Sequence, residues 1–222
     1  MIQAATLKFL RSLAKNNNKP WFDAHRSEYE IARKDFELFL QSVIDGFGKI
    51  DSSIAPLEAR QCMFRINRDV RFSKNKMPYK INFGASINRG GRKSIYAGYY
   101  FHLEPRNSFA GGGLWMPMPA ETHKVRQEID YCWDEFGKML RSKSFKSLYG
   151  DFDNDPGVSL VNVPRGYDKD NPAAQYLKLK SWTATCGLTN SELTDKTLVK
   201  KTIQAFKALQ PFIDFMNRAI ED

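Results

Sequence analysis

Lys80-Ile81-Asn82-Phe83-Gly84-Ala85-Ser86-Ile87-Asn88, the turn Arg89-Gly90-Gly91-Arg92, and Tyr96-Ala97-Gly98-Tyr99-Tyr100-Phe101-His102-Leu103 decide how this chain folds. In the first run Ile81, Phe83, Ala85 and Ile87 alternate with Lys80, Asn82, Ser86 and Asn88. In the second, Ala97, Tyr99, Phe101 and Leu103 alternate with Tyr96, Gly98, Tyr100 and His102. Strand side chains point alternately to opposite faces, so a period of two sends one set to a core and the other outward. Two such runs around a glycine turn predict antiparallel pairing.

The same parity extends outward from this pair. Upstream, Cys62, Phe64, Ile66, Val70 and Phe72 alternate with Arg65, Asn67, Asp69 and Arg71, predicting a strand over 62–72. Downstream, Phe109 to Met116 predicts another, which Gly111-Gly112-Gly113 weakens as a packed element. Those glycines read first as close backbone packing or a bulge, and second as a ligand cradle.

Helical spacing brackets the sheet. Leu7, Leu10, Leu13 and Ala14 mark a first helix that Asn16-Asn17-Asn18 ends, and Pro20 suits the first turn of a second. His25, Tyr29, Ala32, Phe36, Phe39, Val43 and Phe47 form its apolar stripe. Val125, Ile129, Cys132, Trp133, Phe136 and Leu140 predict a helix after Pro119. Leu198 through Ile220 predicts a last one, kinked or divided at Pro211. Further strands are expected around Val158–Val163 and Tyr176–Trp182. The predicted class is α+β: an antiparallel β-sheet meander with helices packed on one face. Residues 1–222 are expected to form a single domain, with two N-terminal helices, a central sheet and C-terminal helices.

The chain has 222 residues and a formal net charge of +9, with 42% hydrophobic residues. No apolar run approaches the roughly 20 residues of a membrane span, and no secretory leader pattern opens the sequence. Cys62, Cys132 and Cys186 are few, odd in number and far apart, which suits buried thiols in a reducing compartment. Those features predict a cytoplasmic protein with no membrane partner.

The positive charge is concentrated. Arg60, Arg65, Arg68, Arg71, Lys74, Lys76, Lys80, Arg89, Arg92 and Lys93 face a single acid, Asp69, within one window. That concentration predicts an anionic partner, against the plainer alternative of a solvated sheet face. On regular strands Arg65, Asn67, Asp69 and Arg71 would share a face with Lys80, Asn82, Tyr100 and His102. Arginine forks and lysine ammonium groups suit phosphate or carboxylate. The candidate ligand-binding residues are therefore Arg65, Asn67, Arg68, Arg71, Lys74 and Lys80, with Tyr100 and His102 as candidate proton-transfer groups. Arg68 has the parity of the apolar set, so it is expected to pair with an acid from a helix, to swing out at a bulge, or to line a pocket.

No phosphate-binding glycine loop, nucleophile elbow or close-spaced His and Cys set is present, so no cofactor or metal site is expected. Phe72, Tyr79, Tyr96, Tyr99, Tyr100 and Trp115 lie among the cations. That interleaving keeps single-stranded nucleic acid as a second class of partner. An acidic protein surface is a third.

The run Phe64-Arg65-Ile66-Asn67-Arg68-Asp69-Val70-Arg71-Phe72-Ser73-Lys74, closed by Pro78-Tyr79-Lys80, resembles the signature of an uncharacterised bacterial family, domain of unknown function 2461. Asn17-Asn18-Lys19-Pro20-Trp21-Phe22, Ala97-Gly98-Tyr99-Tyr100 with His102, and Pro164-Arg165-Gly166-Tyr167 fit it as well. The resemblance implies one conserved hypothetical domain and brings no activity or catalytic residue with it.

Overall fold

The computed structural model describes residues 1–221. In chain order the elements are α1 (Ala4–Lys15), α2 (Lys19–Ala24), α3 (Arg26–Phe47), α4 (Ala59–Cys62), β1 (Phe83–Ile87), β2 (Gly98–Leu103) and β3 (Ser108–Leu114). There follow α5 (Pro119–Tyr131), α6 (Trp133–Arg141), α7 (Lys143–Leu148), a 3-10 turn (Pro156–Val158), α8 (Ala174–Leu177), β4 (Trp182–Leu188), α9 (Asn190–Leu193) and α10 (Leu198–Glu221). The strands form one antiparallel sheet in the order β1-β2-β3-β4, with helices around it, as an α+β fold requires.

Two expectations about the sheet are corrected. Residues 62–72 are not a strand: Cys62 ends α4, and only Met63 and Asn67 make isolated bridges, to Ala85 and Tyr79. Ile66 is buried as its parity requires, but Phe64 is partly exposed and Phe72 fully so. The fourth strand instead comes from Trp182–Leu188; of the strand expected at Tyr176–Trp182, Tyr176 and Leu177 end α8 and only Trp182 lies in β4. The strand expected over 158–163 shrinks to one bridge between Ser159 and Leu179; the Val158 side chain lies outside the described residues.

The three glycines do sit in a strand. A Cβ on Gly111 would collide with the Ala184 carbonyl, one on Gly112 with that of Gly98, and one on Gly113 with that of Trp182. Gly113 also has a φ of 128°, which side chains disfavour. Close backbone approach is therefore what these residues provide.

Contacts group the chain into two compact units. The first holds Met1–Ile87, Tyr100–Ala110 and Gly187–Gln204; the second holds Asn88–Tyr99, Gly111–Cys186 and Ala205–Asp222. The first unit's core is built by α1 and α3. Leu7, Leu10 and Leu13 are buried on α1, and Phe36 and Phe39 on α3 meet Phe83 and Phe101 at ring separations of 5.6 and 4.7 Å respectively. The helix expected from Pro20 to Phe47 breaks at His25, whose backbone leaves helical geometry at φ −113° and ψ 22°. The second unit centres on Phe136, Phe145, Phe152 and Phe212, with Phe145 and Phe212 rings 4.5 Å apart.

Candidate functional site

The outward parity of β2 carries the chemistry. Phe101 and Leu103 are buried, while Tyr100 and His102 face the other way and are only partly covered. The Tyr100 hydroxyl lies 3.2 Å from His102 Nδ1, and His102 Nε2 lies 3.0 Å from Glu104 Oε2. A carboxylate only accepts hydrogen bonds, so Glu104 fixes the tautomer with a proton on Nε2. In the neutral ring Nδ1 is then the acceptor, and Tyr100 donates to it. The three side chains form one hydrogen-bonded chain running along the strand.

Local packing holds this chain in place. The His102 ring stacks on Phe109 of β3 at 4.8 Å with an interplanar angle of 4°. In the β2–β3 turn, Glu104 N–H donates to Ser108 Oγ at 2.9 Å, and that hydroxyl donates to the Glu104 carbonyl at 2.7 Å. Tyr100 lies across Gly84 of β1, where a Cβ would collide with its hydroxyl. Burial pushes the Tyr100 phenol above its ordinary value, so it stays protonated and able to donate. The His102 and Glu104 side chains remain 14% and 22% exposed, so solvent still reaches them.

The arginine-rich segment meets this chain at its base. Phe64 N–H donates to the Gly84 carbonyl at 2.9 Å, Lys80 N–H to that of Ile66 at 2.8 Å, and Arg68 N–H to that of Pro78 at 2.9 Å. Residues 63–68 and 78–85 are thus two limbs of a protruding loop whose tip is 69–77. Asn17 clamps it: its side-chain amide donates to the Tyr79 carbonyl at 2.9 Å, and its oxygen accepts from Tyr79 N–H at 3.0 Å. Phe22 stacks on Tyr79 at 4.0 Å. At the limb next to the sheet, Lys80 Nζ sits 5.1 Å above the Phe64 ring, and Phe64 lies 6.3 Å from Tyr100.

The sequence-predicted residues therefore separate into three groups. Lys80 and Tyr100 each lie beside Phe64, and His102 is joined to Tyr100 by its hydrogen bond. Arg68 braces the loop from within: its guanidinium donates to the Met77 carbonyl at 3.2 Å and to Ser73 Oγ at 3.5 Å, so a helix acid is not its partner. Arg65, Asn67, Arg71 and Lys74 are exposed on the loop, away from any regular strand face. Arg71 grips Asp69 through Nε and Nη2 at 3.0 and 2.7 Å, holding that carboxyl below its usual range with help from the Arg65 charge.

Sequence reasoning missed Glu104, Phe64 as a site residue, and the Asn17 clamp. Glu104 was legible in principle, because it keeps the parity of Tyr100 and His102 one step past the strand. Among the described residues, no group of three or more His, Cys, Asp or Glu is placed to hold a metal ion.

A family model described as "Conserved hypothetical protein (DUF2461)" matches residues 5–215. No curated protein and no solved structure matches the chain.

Proposed function

The chain belongs to the DUF2461 family of conserved hypothetical proteins, and for this member we propose a binding site for a small anionic ligand with a built-in proton acceptor. The observation that carries this reading is the Tyr100–His102–Glu104 chain beside Lys80. A ligand phosphate or carboxylate is held by the Lys80 ammonium. A separate acidic O–H or N–H of the ligand gives its proton to the Tyr100 oxygen as the Tyr100 proton moves to His102 Nδ1. The imidazolium formed is stabilised by Glu104, which already orients the ring. The proton balance closes with Tyr100 neutral, His102 charged and the ligand deprotonated.

The test is a thermal-shift screen with nucleotides, sugar phosphates and small carboxylates. A ligand at about 100 times its dissociation constant adds roughly 2.7 kcal/mol. For a chain of this size that is a rise of roughly 5–10 °C. One small anion should give that rise, and Lys80→Ala should abolish it. Tyr100→Phe should keep binding but prevent the charging of His102 that ligand brings about in the wild type, measured by NMR of the imidazole nitrogens. Absence of any shift, or a shift that survives Lys80→Ala, overturns the proposal.

A further inference from the structure

The loop tip has a use that the sheet site does not absorb. Over residues 65–77 the chain carries five cations and one carboxylate. Two of those cations are structural. Lys76 Nζ folds back onto the carbonyls of Val70 and Arg71 at 3.1 and 3.4 Å, and Arg68 spans the loop to Met77 and Ser73. The Met77 N–H donates to Asn75 Oδ1 at 3.0 Å, bracing the returning limb. With the tip tied inside itself and clamped at its base by Asn17, what it presents outward is pre-organised.

What it presents is an aromatic ring among cations. Phe72 is 96% exposed, the highest value among the large hydrophobic side chains of the described residues. The Arg71 guanidinium lies 5.8 Å from the centre of its ring, and Arg65 and Lys74 are exposed nearby in the chain. A bare phenylalanine held out by a braced loop has no role in the core. A ring beside planar and point cations matches a partner with flat faces and a regular run of negative charge.

We propose that the 65–77 loop docks single-stranded nucleic acid, an unpaired base stacking on Phe72 while Arg65 and Lys74 take neighbouring phosphates. Phe72 and Met77 are the only large exposed apolar side chains on the loop among the described residues. That is less apolar surface than an interfacial membrane anchor uses, since such anchors bury a whole helix face. An acidic protein surface would satisfy the cations but gives the isolated ring no pocket. Unstacked bases satisfy both. This site shares no side chain with Lys80, Tyr100, His102 or Glu104, so it stands independently of the ligand site proposed above.

The experiment is fluorescence anisotropy with the full chain and a short labelled single-stranded oligonucleotide, with a duplex of the same sequence and anionic phospholipid vesicles as contrasts. The single strand should bind more tightly than the duplex. With two phosphates contacted, log affinity should fall with log salt at a slope of about −1.4. Phe72→Ala should weaken binding roughly 5- to 150-fold, the range expected for losing one stacked base, while Phe72→Trp retains it. Lys74→Ala should make the slope shallower by about 0.7. Thermal melting of each variant checks folding, and Phe72→Ala should leave any small-anion shift intact. Undetectable oligonucleotide binding, equal affinity in Phe72→Ala, or binding to vesicles in place of oligonucleotide overturns the proposal.

Discussion

Phe101 and Phe72 carry the same signal in the sequence and have opposite fates. Each is the apolar member of a period-two alternation with polar neighbours. Phe101 lies on β2 with no exposed surface, against Phe36 and Phe39 of α3 at 6.2 and 4.7 Å. Phe72 stands almost wholly in solvent. Alternation is a necessary mark of a half-buried strand, but a strand also needs partners for its backbone and a surface to bury against. Segment 62–72 finds partners at Met63, Phe64, Ile66, Asn67 and Arg68, then leaves the ladder. Beyond Arg68 the loop bonds to itself, Asp69 with Arg71 and Lys76 with two carbonyls.

The largest expected effect tests the buried side of this comparison. Phe101→Ala should destabilise the protein by about 3–5 kcal/mol, because it opens a cavity among the α3 phenylalanines. Chemical denaturation measures it. A loss below about 1 kcal/mol would mean that Phe101 is no better packed than a surface residue, and the contrast would collapse.

Next is the clamp at the foot of the loop. Asn17→Ala leaves the buried Tyr79 N–H and carbonyl without the side chain that satisfies both. Each orphaned buried group costs about 1–3 kcal/mol, and part of that is recovered by relaxation and water, so a loss of about 2–3 kcal/mol is expected. Hydrogen exchange should also quicken across 63–80 while β2 stays protected. Uniform loss of protection over both regions would show that the loop is not a separate unit held by Asn17.

These outcomes bear on how much was legible. The hairpin over 83–103 was readable because its apolar residues alternate and its turn residues are glycines. The helix stripes were readable by the same logic at a different period. Trp182–Leu188 as fourth strand was not, since its pairing with β3 bridges a sequence separation that no local pattern encodes. At the candidate site, Tyr100 and His102 follow from parity alone, and Lys80 from the alternation of the neighbouring run. The placement of Arg65 and Arg71 over the same sheet face failed because it assumed a regular strand through Val70. The role of Arg68 was hidden for a related reason: its partners are a carbonyl and a hydroxyl brought close by a loop whose path the sequence pattern does not give.

A smaller effect separates the sheet site from plain structure. Tyr100→Phe removes one hydrogen bond and should cost about 0.5–1.5 kcal/mol near neutrality. Its pH dependence carries more information. Burial raises the Tyr100 pKa in the folded state, so the stabilisation tied to its neutral form is complete below the unfolded value of about 10. It declines as pH rises through the higher folded value, because the unfolded chain ionises first. Stability of the wild type should therefore fall more steeply above pH 10 than that of Tyr100→Phe. Tyr176, pushed up to about 12, still contributes to the alkaline limb in both proteins. Identical alkaline limbs would mean that the Tyr100 hydroxyl is as well solvated as in the unfolded chain, which removes the sheltered donor that the proton relay requires.

The smallest expected change is also the sharpest test of the exposed side. Phe72→Ala should shift stability by no more than about 0.5 kcal/mol, since an exposed side chain away from caps, cavities and buried pairs has little to lose. Its guanidinium neighbour keeps its grip on Asp69 in the variant, so the loop keeps its internal bracing. A loss of about 2 kcal/mol or more would place Phe72 in a packed environment and erase the contrast with Phe101. A neutral result leaves an exposed aromatic ring that folding does not need, and contact with a partner is then the use that remains for it.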